Sequence, residues 1–231
     1  MVTAAICLLS GGLDSTVALY AALADGYSVR ALTLSYGQVH VREIDSARRI
    51  AAELNLEHHI LSISLPWKGS ALLDTTSPIP VGRDSAEMSR EIPSTYVPAR
   101  NTVFLSFAAS FAEARGAEAI FIGANALDYS GYPDCRPEYF DAFSEVLKRG
   151  TKAGVRGRSI LIETPLLRLS KKEIVELGIK LNIPFEHTWS CYQGRKDPCG
   201  ECDSCILRAK GFQEAGLTDP LVTRATSPQY S

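Results

Sequence analysis

The sequence contains no long hydrophobic run and no surplus of charge of either sign. The apolar stretch at residues 4–9 is too short for a secretory signal or a membrane span, and no Lys or Arg precedes it. Lysine and arginine number 24 against 26 aspartate and glutamate, so the positive surplus of most dedicated nucleic-acid-binding proteins is missing. We therefore expect a cytoplasmic protein with a small-molecule substrate, and neither a membrane nor a nucleic acid as its partner.

The composition is that of an ordinary folded protein, with 45% hydrophobic and 22% charged residues in a chain of 231. These values exclude a disordered chain, a collagen and a coiled coil. The chain also has 6 cysteines. Because the cytosol keeps thiols reduced, such cysteines are more often metal ligands or reactive thiols than disulfides.

Short β-rich runs alternate with helical patterns over most of the chain, which is typical of βαβ units around a parallel sheet. Segment 65–96 is different because it is rich in proline and has a polar middle. A loop of this length indicates a functional segment, and we interpret it as an active-site flap. The predicted strands are 4–9, 29–35, 59–63, 118–123 and 159–163, and the predicted helices are 16–24, 41–54, 101–115, one starting at Pro137, and 170–181.

A glycine loop with the sequence Ser-Gly-Gly-Leu-Asp-Ser occupies residues 10–15, between a buried strand and an amphipathic helix. Its exposed backbone N–H groups and the positive helix end favour an anion. Unlike the loop of the P-loop ATPases, this loop does not end in a lysine. The third glycine of the dinucleotide fingerprint is also missing. A plain strand-to-helix turn is the alternative interpretation, in which glycine serves geometry and Ser or Asp caps the helix.

The hexapeptide as a whole resembles the PP-loop of the ATP pyrophosphatases, which split ATP into AMP and pyrophosphate to adenylate an oxygen of their substrate. The resemblance implies an adenine nucleotide alpha hydrolase-like α/β fold with a five-stranded parallel sheet in the order 3-2-1-4-5, flanked by helices. It also implies that the loop holds the departing pyrophosphate, that Asp14 is catalytic and meets Mg²⁺, and that adenine lies near residues 33–35. The implied ATP-binding residues are Leu8, Leu9, Ser10, Gly11, Gly12, Leu13, Asp14, Ser15, Thr16, Val17 and Ala18.

A cysteine-rich segment follows Pro184, where the α/β pattern ends. Its spacing is C-x7-C-x2-C-x2-C, which lets four thiolates surround one tetrahedral ion from a compact loop. We predict one structural Zn²⁺ per chain, with no open position to activate water. The expected division is therefore a nucleotide-binding α/β domain at 1–184 and a zinc module at 185–231. The four predicted ligands are Cys191, Cys199, Cys202 and Cys205.

The two remaining cysteines have different expected roles. Cys7 lies inside an apolar strand and is predicted to be a small core residue. In the implied strand order, a crevice is predicted at the carboxyl ends of strands 1 and 4, where the order reverses. Cys135 falls in this predicted crevice, where it is either a nucleophile or a packed thiol. Since the sequence offers no base partner for it, we favour the packed thiol.

Three further segments, together with the glycine loop and the four cysteines, make nearly the whole chain resemble the 7-cyano-7-deazaguanine synthase family of the queuosine pathway. They are Tyr-Gly-Gln-Val-His at 36–40, Tyr-Val-Pro-Ala-Arg-Asn at 96–101 and Asp-Tyr-Ser-Gly-Tyr-Pro-Asp-Cys-Arg at 128–136. Val39 departs from the family, which has a basic residue there. The resemblance implies that 7-carboxy-7-deazaguanine and ammonia are converted to the nitrile with ATP, through adenylated carboxylate and amide intermediates.

Candidate residues for the substrate come from the polar loops around the predicted crevice. Arg100 and Arg136 suit a carboxylate or a phosphate, because the guanidinium fork matches both, although either is also compatible with a structural role. Asp128 or Asp134 suits the N–H edge of a guanine-like base. Lys171, after the capping box Ser-Lys-Lys-Glu at 170–173, resembles a phosphate-facing catalytic lysine of related ammonia-using enzymes, and a solvated surface lysine is the alternative.

Segment 148–158 has five basic residues and no acid, and we interpret it as a solvated loop rather than a nucleic-acid or subunit contact. Two other functions compete with the synthase. A PP-loop tRNA thiolation enzyme would carry sulfur on Cys135, but the chain lacks room for a separate basic RNA-binding domain. A zinc-dependent nucleic-acid-binding regulator would leave the glycine loop without a purpose. A homodimer is among the assemblies that the sequence allows.

Overall fold

The structure is a computed structural model that describes residues 2–38, 41–74, 76–84, 87–88, 92–126 and 132–222. Its strands are β1 (Ala4–Leu8), β2 (Ser28–Ser35), β3 (His58–Ser62), β4 (Ala119–Ile122) and β5 (Leu161–Glu163). They form one parallel sheet in the order β3-β2-β1-β4-β5. The predicted α/β class and strand order are confirmed.

Helices connect the strands and cover the sheet, as right-handed βαβ crossovers require. They are α1 (Leu13–Ala24), α2 (Arg42–Glu53), α3 (Arg100–Arg115), α4 (Pro137–Gly150), α5 (Lys152–Val155), α6 (Lys171–Lys180) and α7 (Asp203–Glu214). Short 3₁₀ turns stand at Pro133–Cys135 and Phe185–His187. The basic segment 148–158 is solvated as predicted, but it is not a loop, because it contains the end of α4 and all of α5.

The core lies on both faces of the central strand β1. Ile6 and Leu8 pack on one face with Leu105 of α3, while Cys7 packs on the other with Leu19 of α1. A strand buried on both faces is continuously apolar, which explains the run at 4–9. Cys7 is fully buried, so its prediction as a core residue is confirmed.

The cysteine-rich segment packs directly on the α/β part of the chain. Helix α7 lies against α6, and Phe212 of α7 stacks edge-on with Phe185 at 5.1 Å. The buried guanidinium of Arg208 donates to both carboxylate oxygens of Asp219, at 2.6 and 2.9 Å, and to the carbonyl oxygen of Phe185. The two phenylalanine rings also pack into an apolar cluster with residues of α1 and α6, and this cluster holds the segment after Pro184 on the α/β part of the chain.

Part of segment 65–96 is attached to the same cysteine-rich segment. Val81 forms an antiparallel bridge with Cys202, and the guanidinium of Arg83 is paired with the carboxylate of Asp203 at the start of α7. The described part of the expected flap is therefore anchored at its middle; its proposed movement stays a prediction.

Among the described residues, no helix combines the length and the apolar character that crossing a bilayer would need.

Candidate functional site

A cavity of about 190 Å³ opens at the carboxyl ends of β1, β2 and β4. Its lining includes Leu8 and Ser10 after β1, Leu34 of β2, and Gly123 and Asn125 after β4. In a sheet of this order, the strand order reverses between β1 and β4, although all strands stay parallel, and ligands bind at such a switch point. The cavity lies where the predicted crevice was placed.

The glycine loop forms one wall of this cavity. Gly11 has a φ of +86°, and a Cβ there would lie 2.2 Å from the carbonyl oxygen of Glu43, so the loop requires glycine at this position. Ser10 and Ser15 join across the loop through their hydroxyl oxygens at 3.0 Å. No described side chain caps α1, which leaves its first N–H groups available to an anion.

The loop residues predicted to bind ATP fall into two groups in the structure. The first group lines the cavity. The second group lies behind this lining, where Gly11 sets the turn and the other residues pack within α1. The lining group comprises Leu8, Leu9, Ser10, Gly12, Leu13, Asp14 and Ser15; the second group comprises Gly11, Thr16, Val17 and Ala18.

Lys171 reaches the loop from the first turn of α6. Its Nζ donates to both carboxylate oxygens of Asp14, at 2.8 and 3.0 Å, and its side chain is only 6% exposed. The capping box of Ser170 and Glu173 fixes the start of the helix that carries it. The alternative of a solvated surface lysine is therefore excluded.

The stem of Lys171 crosses helix α7 at a glycine. A Cβ on Gly211 would lie 2.4 Å from Cγ of Lys171, so a side chain here would displace the stem. Cys202 is the N-cap of α7 and Cys205 lies in its first turn. The helix that carries two of the cysteines thus also shapes the channel for this lysine.

Arg100 enters the cavity from the first turn of α3, at the opposite wall. Its guanidinium carbon lies 5.7 Å from the ring centre of Phe104, and its side chain hydrogen-bonds to Tyr36. Burial lowers the pKa of Arg100, but the polar groups of Tyr36 and Tyr132 and further neighbours raise it more, so the pKa lies above its usual range. The cavity therefore holds a permanent positive charge.

The other predicted substrate residues are placed differently. The carboxylate of Asp134 is buried and accepts from the backbone N–H of Asn101 at 2.9 Å, and Asp134 does not line the cavity. Arg136 is exposed at the start of α4 and also does not line it. Asp128 and Val39 lie outside the described residues. Of these candidates, the structure brings Arg100 to the cavity.

Cys135 lines the cavity as a buried thiol. Its Sγ accepts from Nδ2 of Asn101 at 3.3 Å, and burial raises its pKa to about 12. A thiol with this pKa is protonated at neutral pH and is a poor nucleophile. This agrees with the packed thiol that we favoured and disfavours a role as sulfur carrier.

Several lining residues were missed by the sequence analysis. Glu43, in the first turn of α2, faces the cavity, and burial raises its pKa to about 7, although the charge of Arg100 opposes this shift. Tyr192 and Ser204 reach the cavity from the cysteine-rich segment. Glu43 had one available signal, because it follows the Tyr-Gly-Gln-Val-His segment by only three residues.

The four cysteines form a cluster in which all Sγ atoms lie within 4.8 Å of one another. Hydrogen bonds from neighbouring thiols and from the backbone N–H groups of Gln193 and Cys199 lower the pKa of Cys191. Thiolates held at this spacing fit a tetrahedral metal ion. The cluster of Cys191, Cys199, Cys202 and Cys205 is thus a candidate metal site, as predicted.

The cysteine cluster is joined to the glycine loop through Trp189. Its backbone N–H donates to the carbonyl oxygen of Gly11 at 2.9 Å, and its indole N–H donates to the carbonyl oxygen of Cys191 at 2.9 Å. The guanidinium of Arg42 lies 5.4 Å from the indole ring. One residue therefore connects a metal-ligand loop to the loop that lines the cavity.

Comparison with known proteins identifies the family of the chain. The family model described as queuosine biosynthesis protein QueC matches residues 4–216. A 7-cyano-7-deazaguanine synthase of Trichodesmium erythraeum is 55% identical over 220 residues, covering 94% of this chain and 99% of that protein. Synthases of the same name from Thermoplasma volcanium and Nostoc punctiforme are each 52% identical over 94% of this chain, and cover 89% and 98% of those proteins. The chain is therefore a member of the queuosine biosynthesis protein QueC family.

Proposed function

We propose that this chain converts 7-carboxy-7-deazaguanine and ammonia to 7-cyano-7-deazaguanine at the expense of ATP. The observation that carries the proposal is one cavity with two unlike walls. The glycine loop with the first turn of α1 forms an anion-binding wall, and Arg100 with Tyr36 and Phe104 forms a wall suited to an aromatic carboxylate.

The chemistry requires activation of the carboxylate before the amine attacks. Without activation, the amine would have to expel oxide from the carboxylate. In the activated route, a carboxylate oxygen attacks the α-phosphorus of ATP and pyrophosphate is released. The same oxygen then leaves as part of AMP. Ammonia then displaces AMP and gives the amide. A second adenylation on the amide oxygen, followed by loss of AMP and protons, gives the nitrile. The same cavity serves both rounds.

The glycine loop is the proposed holder of the pyrophosphate. Ser10, Gly12 and Ser15 line the cavity, and the first N–H groups of α1, which no described side chain caps, favour negative charge. Lys171, held by Asp14 at the loop, supplies a positive charge at the same place. We assign these groups to orientation and charge neutralisation, which dominate catalysis of reactions at phosphorus.

Arg100 is the proposed partner of the substrate carboxylate. Its guanidinium lies in the cavity and stays charged because polar neighbours favour its protonated form. Binding a carboxylate to a planar guanidinium is a strong, oriented interaction. The aromatic rings of Tyr36 and Phe104, 5.3 Å apart beside it, suit the planar bicyclic ring.

The proposed metals have separate roles. Zn²⁺ would be held by the four thiolates of the cysteine cluster, where a complete ligand shell stabilises the fold and leaves no position for catalysis. Mg²⁺ would accompany ATP, with Asp14 as its protein ligand at the loop. A cytoplasmic location agrees with a reduced cysteine cluster.

The experiment is an assay of purified, zinc-loaded protein with ATP, Mg²⁺ and ammonium, with and without 7-carboxy-7-deazaguanine. Mass spectrometry follows AMP, pyrophosphate and the nitrile. We expect all three products only when the substrate is present, and their loss in Asp14→Ala with unchanged zinc content. An active Asp14→Ala enzyme would refute the nucleotide-site assignment, and ATP cleavage without nitrile would refute the assigned acceptor.

A further inference from the structure

Among the residues that the structure describes, two carboxylates line the cavity, and they differ in their partners. Both oxygens of Asp14 accept from Nζ of Lys171. The carboxylate of Glu43 has no hydrogen bond or ion pair with any residue that the structure describes, although it faces the same cavity. A partly buried carboxylate without a hydrogen-bond donor is unfavourable by itself, which indicates that a ligand supplies the donors.

The position of Glu43 is fixed by the fold. Its backbone carbonyl packs against Gly11, and its helix is held to the sheet by Ile44, Ala47 and Ile50, which are buried. Because the helix is fixed, the carboxylate cannot leave the cavity by a local backbone movement. The protein therefore holds this acid at a defined distance from the glycine loop.

The surroundings of Glu43 combine a poorly solvated carboxyl group with aromatic walls. Burial raises the pKa of its carboxyl to about 7, and the charge of Arg100 lowers it in part. The nearby walls are aromatic. The ring centres of Tyr36 and Phe104 lie 5.3 Å from each other, and Tyr132 is hydrogen-bonded to Tyr192. A flat ring with N–H groups on one edge fits such a pocket.

Other acceptors near this region are already used by the protein. The carboxylate of Asp134 accepts from the backbone N–H of Asn101, and Oε1 of Gln38 accepts from the backbone N–H of Tyr36 at 2.9 Å. Asp203 is paired with Arg83. Among the described carboxylates that line the cavity, Glu43 is thus the one without a hydrogen bond or ion pair from the protein, whereas Asp14 is held by Lys171.

We propose that Glu43 is the specificity residue for the guanine-like edge of the substrate, with its carboxylate accepting hydrogen bonds from the ring N1–H and the exocyclic 2-amino group. The inference rests on the proposed function, in which Arg100 neutralises the carboxylate of the same substrate. One acid accepting two adjacent N–H groups distinguishes a 2-amino base from its analogue without that group.

The test compares 7-carboxy-7-deazaguanine with the analogue that lacks the 2-amino group, 7-carboxy-7-deazahypoxanthine. We expect wild-type protein to prefer the first in kcat/KM by about 10- to 100-fold, the range of one bidentate base contact. Glu43→Gln, which replaces one acceptor oxygen by a donor, should reduce this preference to about threefold or less. The matched control is Asp45→Asn, an exposed acid on the same helix, which should keep the full preference.

Equilibrium binding of the two bases without ATP, followed by calorimetry, makes the test independent of turnover. Glu43→Asp keeps the acceptor pair and should retain part of the preference. An unchanged preference in Glu43→Gln would overturn the inference. A higher KM for ammonium with the base preference intact would also overturn it, because this result would assign Glu43 to ammonia. A loss of affinity confined to ATP would overturn it as well, because this result would assign Glu43 to adenine. Failure of wild-type protein to make the nitrile would instead refute the proposed function.

Discussion

The Nζ atom of Lys171 lies 2.8 and 3.0 Å from the two carboxylate oxygens of Asp14, although 157 positions separate the two residues. The pair joins helix α6 to the glycine loop and is largely shielded from water on the lysine side. A buried ammonium beside the glycine loop neutralises negative charge that a surface lysine would leave to the solvent. The next predictions follow from this contact.

Replacing Lys171 by Met keeps the length of the stem and removes the charge. We expect the affinity for ATP to fall by about tenfold, equivalent to about 1.4 kcal/mol, with unchanged zinc content. Nucleotide titration measures this effect. The control is Lys172→Met, which removes the adjacent exposed lysine of a surface pair with Glu176 and should leave the affinity unchanged. Equal effects of the two substitutions would contradict the assigned role of Lys171.

Gly211→Ala tests whether helix α7 positions the same lysine. The added methyl group would lie 2.4 Å from Cγ of Lys171, so the stem must shift and ATP affinity should fall. In a Lys171→Met background, the same substitution should add little, because the charged group that it displaces is absent. Gly150→Ala, a helical glycine with open space around it, is the control. Additive effects of the two substitutions would show that Gly211 acts elsewhere.

We expect removal of the metal to disturb the glycine loop, because Trp189 connects this loop to the cysteine cluster. Cys202→Ser is expected to lower zinc content and Tm, because a structural site with four thiolates contributes directly to folding. It should also weaken ATP binding, since Trp189 joins the two loops. Its indole N–H donates to the carbonyl oxygen of Cys191, and its backbone N–H donates to the carbonyl oxygen of Gly11. Metal analysis, thermal melting and nucleotide titration measure these effects. Cys7→Ala should keep the metal, and full ATP affinity in metal-free protein would contradict the coupling.

The two cysteines outside the cluster should be unreactive in the folded protein. Burial raises the pKa of Cys7 and of Cys135 from 9.0 to about 12, so both stay protonated at pH 8. Mass spectrometry after alkylation should find them modified only in unfolded chains. Their contribution to stability is complete below pH 9 and is lost from about pH 9 to 12, because the unfolded chain loses these protons first. Rapid native alkylation of Cys135 would contradict its assignment as a packed thiol.

The sequence predicted the fold and the cysteine cluster because their signals are local or regular. The sheet follows from alternating strand and helix patterns and the PP-loop resemblance, and the four cysteines lie within 15 consecutive residues, 191–205. Element ends moved by one to three residues: β5 starts at Leu161 instead of 159, and α1 at Leu13 instead of 16. Helix ends depend on caps and packing that periodicity does not contain.

The candidate site was predicted less completely because it is built from distant segments. The pairing of Lys171 with Asp14 and the placement of Glu43 and Tyr192 in one cavity depend on tertiary packing across more than 100 positions. Asp134 turned toward Asn101 because the short 3₁₀ turn at Pro133–Cys135 buries its side chain. Residue type alone could not distinguish this buried acceptor from an acid that faces the ligand.

In the proposed reaction, the substrate oxygen is adenylated in the cavity beside the glycine loop. The most direct measurement uses 7-carboxy-7-deazaguanine with ¹⁸O in both carboxylate oxygens, together with ATP, Mg²⁺ and ammonium, and mass spectrometry of the products. We expect nitrile without label and ¹⁸O in the AMP of both rounds, because each oxygen leaves bonded to the α-phosphorus. Label in inorganic phosphate with formation of ADP, or AMP without label, would contradict it.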